Sequence, residues 1–221
     1  WRAQLPPAVF GPAYRAPRTD GSESLRGNLR KAQALLREAG WTVQNGVLRN
    51  AKGEALVLEY LDSNDASARM IAPWVRALEK LGIELRFRPV DFALQQERWR
   101  TFNFDIVTVA YGGTHTPGPE YADQFGSQAA DTEDSGNLAG VKSPVVDALV
   151  ARMVGADNKP DMLAACRALD RVIMHSHYLA PQWSSRTHRM VYNAWRLDRP
   201  KDMPPYAAGE DWAIDTWWTK P

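Results

Sequence analysis

Residues 83–113 read IELRFRPVDFALQQERWRTFNFDIVTVAYGG. The first eight alternate, with Ile83, Leu85 and Phe87 on one side and charged residues between them, the period of a half-buried strand. Residues 92–100 read as a helix. FDIVTVA, 104–110, is a second strand, apolar enough at Ile106, Val107, Val109 and Ala110 to lie in a core. The same succession runs upstream. EALVLEYL (54–61) is a strand, and SARMIAPWVRALEKLG (67–82) is a helix with Met70, Ile71, Trp74, Val75 and Leu78 inward. Pro73 falls in an early turn of that helix or kinks it. Strands joined by connections of helix length pair in parallel. The chain is therefore expected to be α/β, with 54–61, 83–90 and 104–110 adjacent in one mainly parallel sheet. Helices around 29–39 and 70–81 should flank it.

Outward from this unit the pattern continues. In NLRKAQALLREAGW (28–41), Leu29, Ala32, Leu35, Leu36 and Ala39 share a helix face, Asn28 is a candidate N-cap and Gly40 a stop. Asn45-Gly46 and Lys52-Gly53 are turn signals around a short strand. Helices are expected near 144–154 and 161–175, and strands at YLAPQW (178–183) and HRMVYN (188–193). The opening residues, with Pro6, Pro7, Pro12 and Pro17, read as an extended arm, and the tail from Trp195 as extended too.

The 221 residues fit one large domain or two small ones, and 44% hydrophobic with 24% charged residues is ordinary for a globular core. A net charge of +1 implies no polybasic surface for nucleic acid. No apolar run approaches the ~20 residues of a membrane span. Cys166 is the single cysteine, so no internal disulfide forms, and its place on an apolar helix face reads as an inert buried thiol. The start has no initiator Met, basic n-region or apolar h-region, which reads as a fragment or a processed chain.

The residues offer little to catalysis. His175 and His177 stand two apart at a helix end without further ligands at metal spacing, and Asp131–Asp134 lacks the pattern of a calcium loop. No Gly-x-Ser-x-Gly, Walker or dinucleotide motif occurs. The chain thus has no expected catalytic residue, metal site or cofactor. What stands out is YGGTHTPGP after the strand 104–110. In open α/β sheets ligands bind beyond the carboxyl ends of the strands. Gly112 and Gly113 let backbone approach a ligand, Thr114 and His115 offer hydrogen bonds, and Tyr111 a flat face. From these residues alone the loop is either a ligand-binding loop or a simple surface turn.

The order KAQALLREAGW, LVLEYL, MIAPWVRALEKLGIELRFRPVD, WRTFNFDIVTVAYGGTHTPGPE, SGNLAGVKSPVVDALVARM, LAACRALDRVIMHSHYLAPQWSSRTHRMVYN and DTWWTKP resembles the C-terminal half of the family 5 extracellular solute-binding proteins. These are the oligopeptide-, dipeptide- and nickel-binding receptors of ABC importers. TPGPE, TEDSGNLAGVKSPVVDAL and YLAPQW are most similar to the Yej-type branch, associated with oligopeptide and microcin C uptake. The resemblance implies a periplasmic binding protein-like fold (type II, cluster C), of which this chain is the C-terminal lobe. Residues 1–26 would be an arm from the missing N-terminal lobe, 27–189 the ligand-binding lobe, and 190–221 a tail returning toward that missing lobe. It implies a periplasmic, non-catalytic receptor, partnered by a peptide or peptide-like ligand and by the permease and ATPase of an ABC transporter.

The resemblance also implies site residues. Tyr111, Gly112, Gly113, Thr114 and His115 would line the cleft. Thr114 stands about where the family's oligopeptide receptors carry an aspartate for the ligand's amino group, so His115, Glu120, Asp123 or the missing lobe would have to supply that anchor. Asn137, Gln182, Trp183 and Arg186 match positions near the cleft or the interlobe region. Two other classes compete: a ligand-sensing domain of a transcriptional regulator, which a preceding helix-turn-helix would identify, and a hydrolase, which needs a nucleophile–base pair or facing carboxylates.

Overall fold

The computed structural model describes residues 1–111, 116–182, 190–202 and 209–220, with only the main chain at 209–211. Residues 1–111 and 117–179 belong to one compact unit, and the described residues from 180 onward to a second.

The first unit contains the expected sheet. β3 (Val57–Asp62) lies between β4 (Glu84–Pro89) and β5 (Ile106–Val107), parallel to both, with Tyr60 opposite Phe87 and Ile106. β5 is shorter than the expected 104–110, because side chains take over at both ends. Asp105 Oδ2 accepts from Glu59 N at 2.8 Å, and Thr108 Oγ1 lies 2.5 Å from the Tyr60 hydroxyl.

α2 (Ser67–Glu79) covers one face of the sheet: Ile71 packs with Tyr60 and Leu85, and Val75, Leu78, Phe87 and Ile106 close around them. Pro73 sits inside this helix, which continues past it. α3 (Phe92–Arg100) is capped by Asp91, whose Oδ1 accepts from Leu94 N at 2.9 Å, and its Arg98 pairs with Glu59 of β3.

α1 (Leu25–Glu38) starts earlier than expected. Ser24 caps it by accepting from Gly27 N at 3.0 Å, while Asn28 donates instead to the Arg18 carbonyl at 2.9 Å. The expected stop holds. Gly40 N donates to Arg37 O and Trp41 N to Leu36 O, with Gly40 at φ +85°, the paired bonds of a Schellman cap. The helix then turns into the hairpin β1 (Thr42–Gln44) and β2 (Val47–Arg49), whose Asn45 and Gly46 both have positive φ. Leu48 of this hairpin packs with Leu81 and Ile83, under Leu29, Ala32 and Leu36 of α1.

A second core joins α4 (Glu120–Phe125), α5 (Pro144–Val154) and α6 (Lys159–His175), with Phe125, Val146, Val150, Met153, Leu169 and Ile173 at its centre. Cys166 is only half-buried at its edge, less enclosed than the buried thiol expected from the sequence. The opening arm corrects the extended reading. It forms short 3-10 turns at Arg2–Gln4 and Pro7–Phe10, and Val9 enters this core at 5% exposure.

In the second unit the tail is not simply extended. α7 (Gly209–Thr216) forms, and β6 (Leu197–Asp198) pairs antiparallel with β7 (Trp218–Thr219). Arg199 lies within 6.0 Å of the ring centroids of Tyr192, Trp212 and Trp217. Of the strands expected at 178–183 and 188–193, the described parts, 178–182 and 190–193, carry no strand. Val191 is fully exposed, and a β-branched residue without a neighbouring strand has nothing to pair with.

Candidate functional site

A parallel sheet gathers its carboxyl ends on one side, so Asp62, Pro89 and Val107 end their strands along a common edge. The turns there are built from their own side chains. Asp62 Oδ1 accepts from Asn64 N, and Asn64 Oδ1 from Ala66 N, at 2.9 and 3.0 Å. Val90 N donates to the Asp62 carbonyl at 3.0 Å and fastens the end of β4 to the end of β3. The Tyr60–Thr108 contact does the same between β3 and the chain leaving β5. Two helix N-termini, those of α2 and α3, follow directly from this edge.

Beyond β5 the chain reaches Tyr111. Its ring stacks at a tilt on Phe125, with centroids 5.5 Å apart, and Tyr121 meets Phe125 from 6.2 Å. The Tyr111 hydroxyl is buried and has no hydrogen-bond partner among the described residues. Burial pushes its pKa above the ordinary phenol value, since ionisation would put a charge in a poorly solvated place. Tyr121 shifts upward too, mainly through burial and secondarily through Cys166 and Glu120. Tyr111 therefore anchors the root of the loop through its ring. Gly112, Gly113, Thr114 and His115 lie outside the described residues, as do Trp183 and Arg186.

The remaining candidates fall in different places. Gln182 is exposed, in the stretch that follows the first unit. Asn137 is wholly buried. Its Nδ2 donates to the carbonyls of Gly126 and Val141, and its Oδ1 accepts from Val141 N, all at 2.9 Å. A side chain so occupied holds the 126–141 loop together and does not present itself to a ligand. Glu120 and Asp123, possible stand-ins for an amino-group anchor, are engaged locally: Glu120 Oε1 accepts from Gly118 N and Asp123 Oδ2 from Gly136 N, both at 2.9 Å.

Sequence reasoning missed the role of this loop as a braced unit. Asp147 accepts from both Ser127 N and Ser127 Oγ, at 2.8 and 2.7 Å. Asp131 pairs with Lys142 at 2.6 Å, and Glu133 with Arg100. The acidic run 131–134 thus braces surface loops. Arg100, held by Glu97 and Glu133, is pushed upward in pKa, and Glu97 is held below the usual carboxylate range by Arg100. No cluster of His, Cys, Asp and Glu suited to a metal ion occurs among the described residues. The described groups at this edge are engaged with one another: the Asp62 and Asn64 side chains in their own turn, the Tyr60 hydroxyl with Thr108, and the Tyr111 ring on Phe125.

The family described as bacterial extracellular solute-binding proteins, family 5 (middle region), matches residues 3–133. A probable peptide-binding protein, YejA, of Agrobacterium fabrum is 39% identical over 98% of this chain, which covers 35% of that protein. A peptidoglycan-binding protein, YepA, of the same organism is 31% identical over 97% of the chain and 34% of its own length. Among solved structures, the oligopeptide-binding protein AppA of Bacillus subtilis, in complex with a nonapeptide, superposes with a TM-score of 0.62 at 16% identity, over 87% of this chain and 37% of its own. That likeness shows the α/β fold of type II periplasmic binding proteins. The chain spans about a third of the length of the curated relatives it matches. It belongs to the family 5 bacterial extracellular solute-binding proteins.

Proposed function

We propose that the chain is the C-terminal lobe of a periplasmic receptor that captures oligopeptides or peptide-like solutes and delivers them to the permease and ATPase of an ABC importer. The observation that carries this reading is the 39% identity, over 98% of the chain, to a probable peptide-binding protein. The reading extends to the Yej-type branch, with microcin C-like peptides among the candidate ligands. The parallel sheet supports a cleft wall at its carboxyl edge, the place where open α/β sheets receive ligands. In this reading 27–189 is the ligand-binding lobe, and 1–26 and 190–221 connect to a preceding lobe. Large apolar side chains left open in the second unit, Val191, Trp195, Ile214 and Trp218, support a further surface against which that unit packs.

The mechanism is capture without chemistry. The lobes close about a hinge, the closed form is what the permease reads, and the ligand's main chain is met as an added strand would be, with wet pockets for its side chains. Gly113, which carries no Cβ, would leave the ligand's main chain room in this reading.

Calorimetric titration of the longer protein with mixed tri- to octapeptides tests this. Micromolar or tighter binding that free amino acids and sugars do not compete away is expected. A receptor that ignores peptides and binds only a sugar or a metal chelate would sink the reading. Gly113→Val should then weaken peptide binding by about tenfold, roughly 1.4 kcal/mol.

A further inference from the structure

The segment that opens the first unit and the segment that leaves it meet at the end of α6. Arg171, one turn before that end, donates through Nε to the carbonyl of Val9 and through Nη2 to the carbonyls of Gly11 and Pro12, the last at 2.9 Å. Val9 is inserted into the core of α5 and α6. Tyr14 stands edge-on to His175, with centroids 5.7 Å apart and planes at 90°, and to His177 at 6.1 Å. The chain passes into the second unit directly after Leu179.

This arrangement answers a problem of the arm. Pro6, Pro7 and Pro12 have no N–H, and the arm belongs to no sheet, so its carbonyls lack ladder partners. A guanidinium carries several donors in a fixed fork and can serve carbonyls spread over four residues, which an ammonium cannot do as well. Arg171 is in no ion pair among the described residues, so its donors are directed to the arm. The contact bridges about 160 positions in sequence and holds the arm to the last turns of α6.

We propose that Arg171 is a positioning residue of the receptor's hinge: it ties the incoming arm to α6, so that the entering and leaving segments move as one body during closure. The proposal rests on the two-lobed reading above.

The test uses the longer protein carrying Arg171→Met. Trypsin cleavage after Arg15 and Arg18 should accelerate by about tenfold or more, with the far-ultraviolet circular dichroism unchanged. The distribution of distances between spin labels on the two lobes, without ligand, should broaden. Arg171→Lys, which keeps the charge and loses the fork, should restore only part of both effects. If the Met variant fails to fold, Tyr14→Ala gives the same two readouts. Unchanged cleavage would overturn the clasp. Faster cleavage with an unchanged distance distribution would leave Arg171 a structural residue and overturn its hinge role. A wild-type protein that never closes on peptides would instead count against the receptor reading, while cleavage would still report on the clasp.

Discussion

Arg98 Nη2 of α3 lies 2.7 Å from Glu59 Oε1 of β3, on the face of the sheet opposite α2. The contact is an ion pair rather than an aligned hydrogen bond. Both side chains are largely shielded, at 19% and 30% exposure, and Arg98 Nε also donates to the Asn103 carbonyl at 2.7 Å. Arg98 therefore holds both the helix and the turn that leads into β5. Arg98→Met should cost about 1–3 kcal/mol in urea denaturation, and Glu59→Gln less, because among the described residues the arginine side chain alone has a second partner. A double-mutant cycle should return a coupling above about 0.5 kcal/mol; additive effects would reduce the pair to a surface contact.

Two glycines with similar backbone angles should respond differently to alanine. Gly82 (φ +77°) faces Leu48 N at 2.7 Å from where a Cβ would stand, with Gly46 O at 3.0 Å. Gly40 (φ +85°) has open space there. Gly40→Ala should cost about 1 kcal/mol, the penalty of a left-handed angle alone. Gly82→Ala adds a clash between backbones and should cost at least twice that, loosening the hairpin from the turn it bonds through Leu48 N to Gly82 O. Equal losses would mean that the hairpin yields freely.

Asn137→Ala removes three hydrogen bonds and strands buried backbone groups. A loss of about 2–4 kcal/mol is expected from chemical denaturation. At temperatures where the variant remains folded, peptide affinity should stay within about twofold, because no part of this side chain reaches the surface. A selective loss of binding at full stability would make it a ligand contact after all.

The buried phenols predict an alkaline weakness. Tyr111 ionises with more difficulty in the folded chain than in the unfolded one, so the unfolded form loses its proton first as pH rises. The contribution of this residue to stability is intact below about pH 10 and falls above it. Tyr111→Phe keeps the ring on Phe125 and removes a buried hydroxyl that lacks a partner among the described residues. The variant should match or exceed wild type at pH 8, and its melting-temperature advantage should widen above pH 10. Parallel curves across that range would place the hydroxyl in water.

The sheet was readable because each strand carries its own period and each crossover its own helix, so local pattern and global topology agree. Ser24 gives no legible cap signal because the apolar period of α1 becomes clear only at Leu29, while Leu25 is exposed. Residues 178–182 and 190–193 look β-prone, but propensity creates no strand where no neighbour offers a ladder. α7 was hidden by a tail rich in Asp, Pro and Trp. At the site, the resemblance located Asn137 in the chain but could not reveal that its amide was spoken for by Gly126 and Val141. The clasp between Arg171 and the arm has no local signal at all, since its partners stand about 160 residues apart.

β4 forms one margin of the sheet, with Glu84 and Arg86 paired at 2.7 Å, Arg88 beside them and Pro89 at its end. A newcomer strand docking there would have to dehydrate charged side chains and meet a proline that can donate nothing. Growth of the sheet into an intermolecular stack is discouraged on that flank by the same residues whose alternation made the strand recognisable. In the proposed reading, a lobe that receives extended peptides gains from not capturing its own kind, and β4 supplies that discrimination on its side of the sheet.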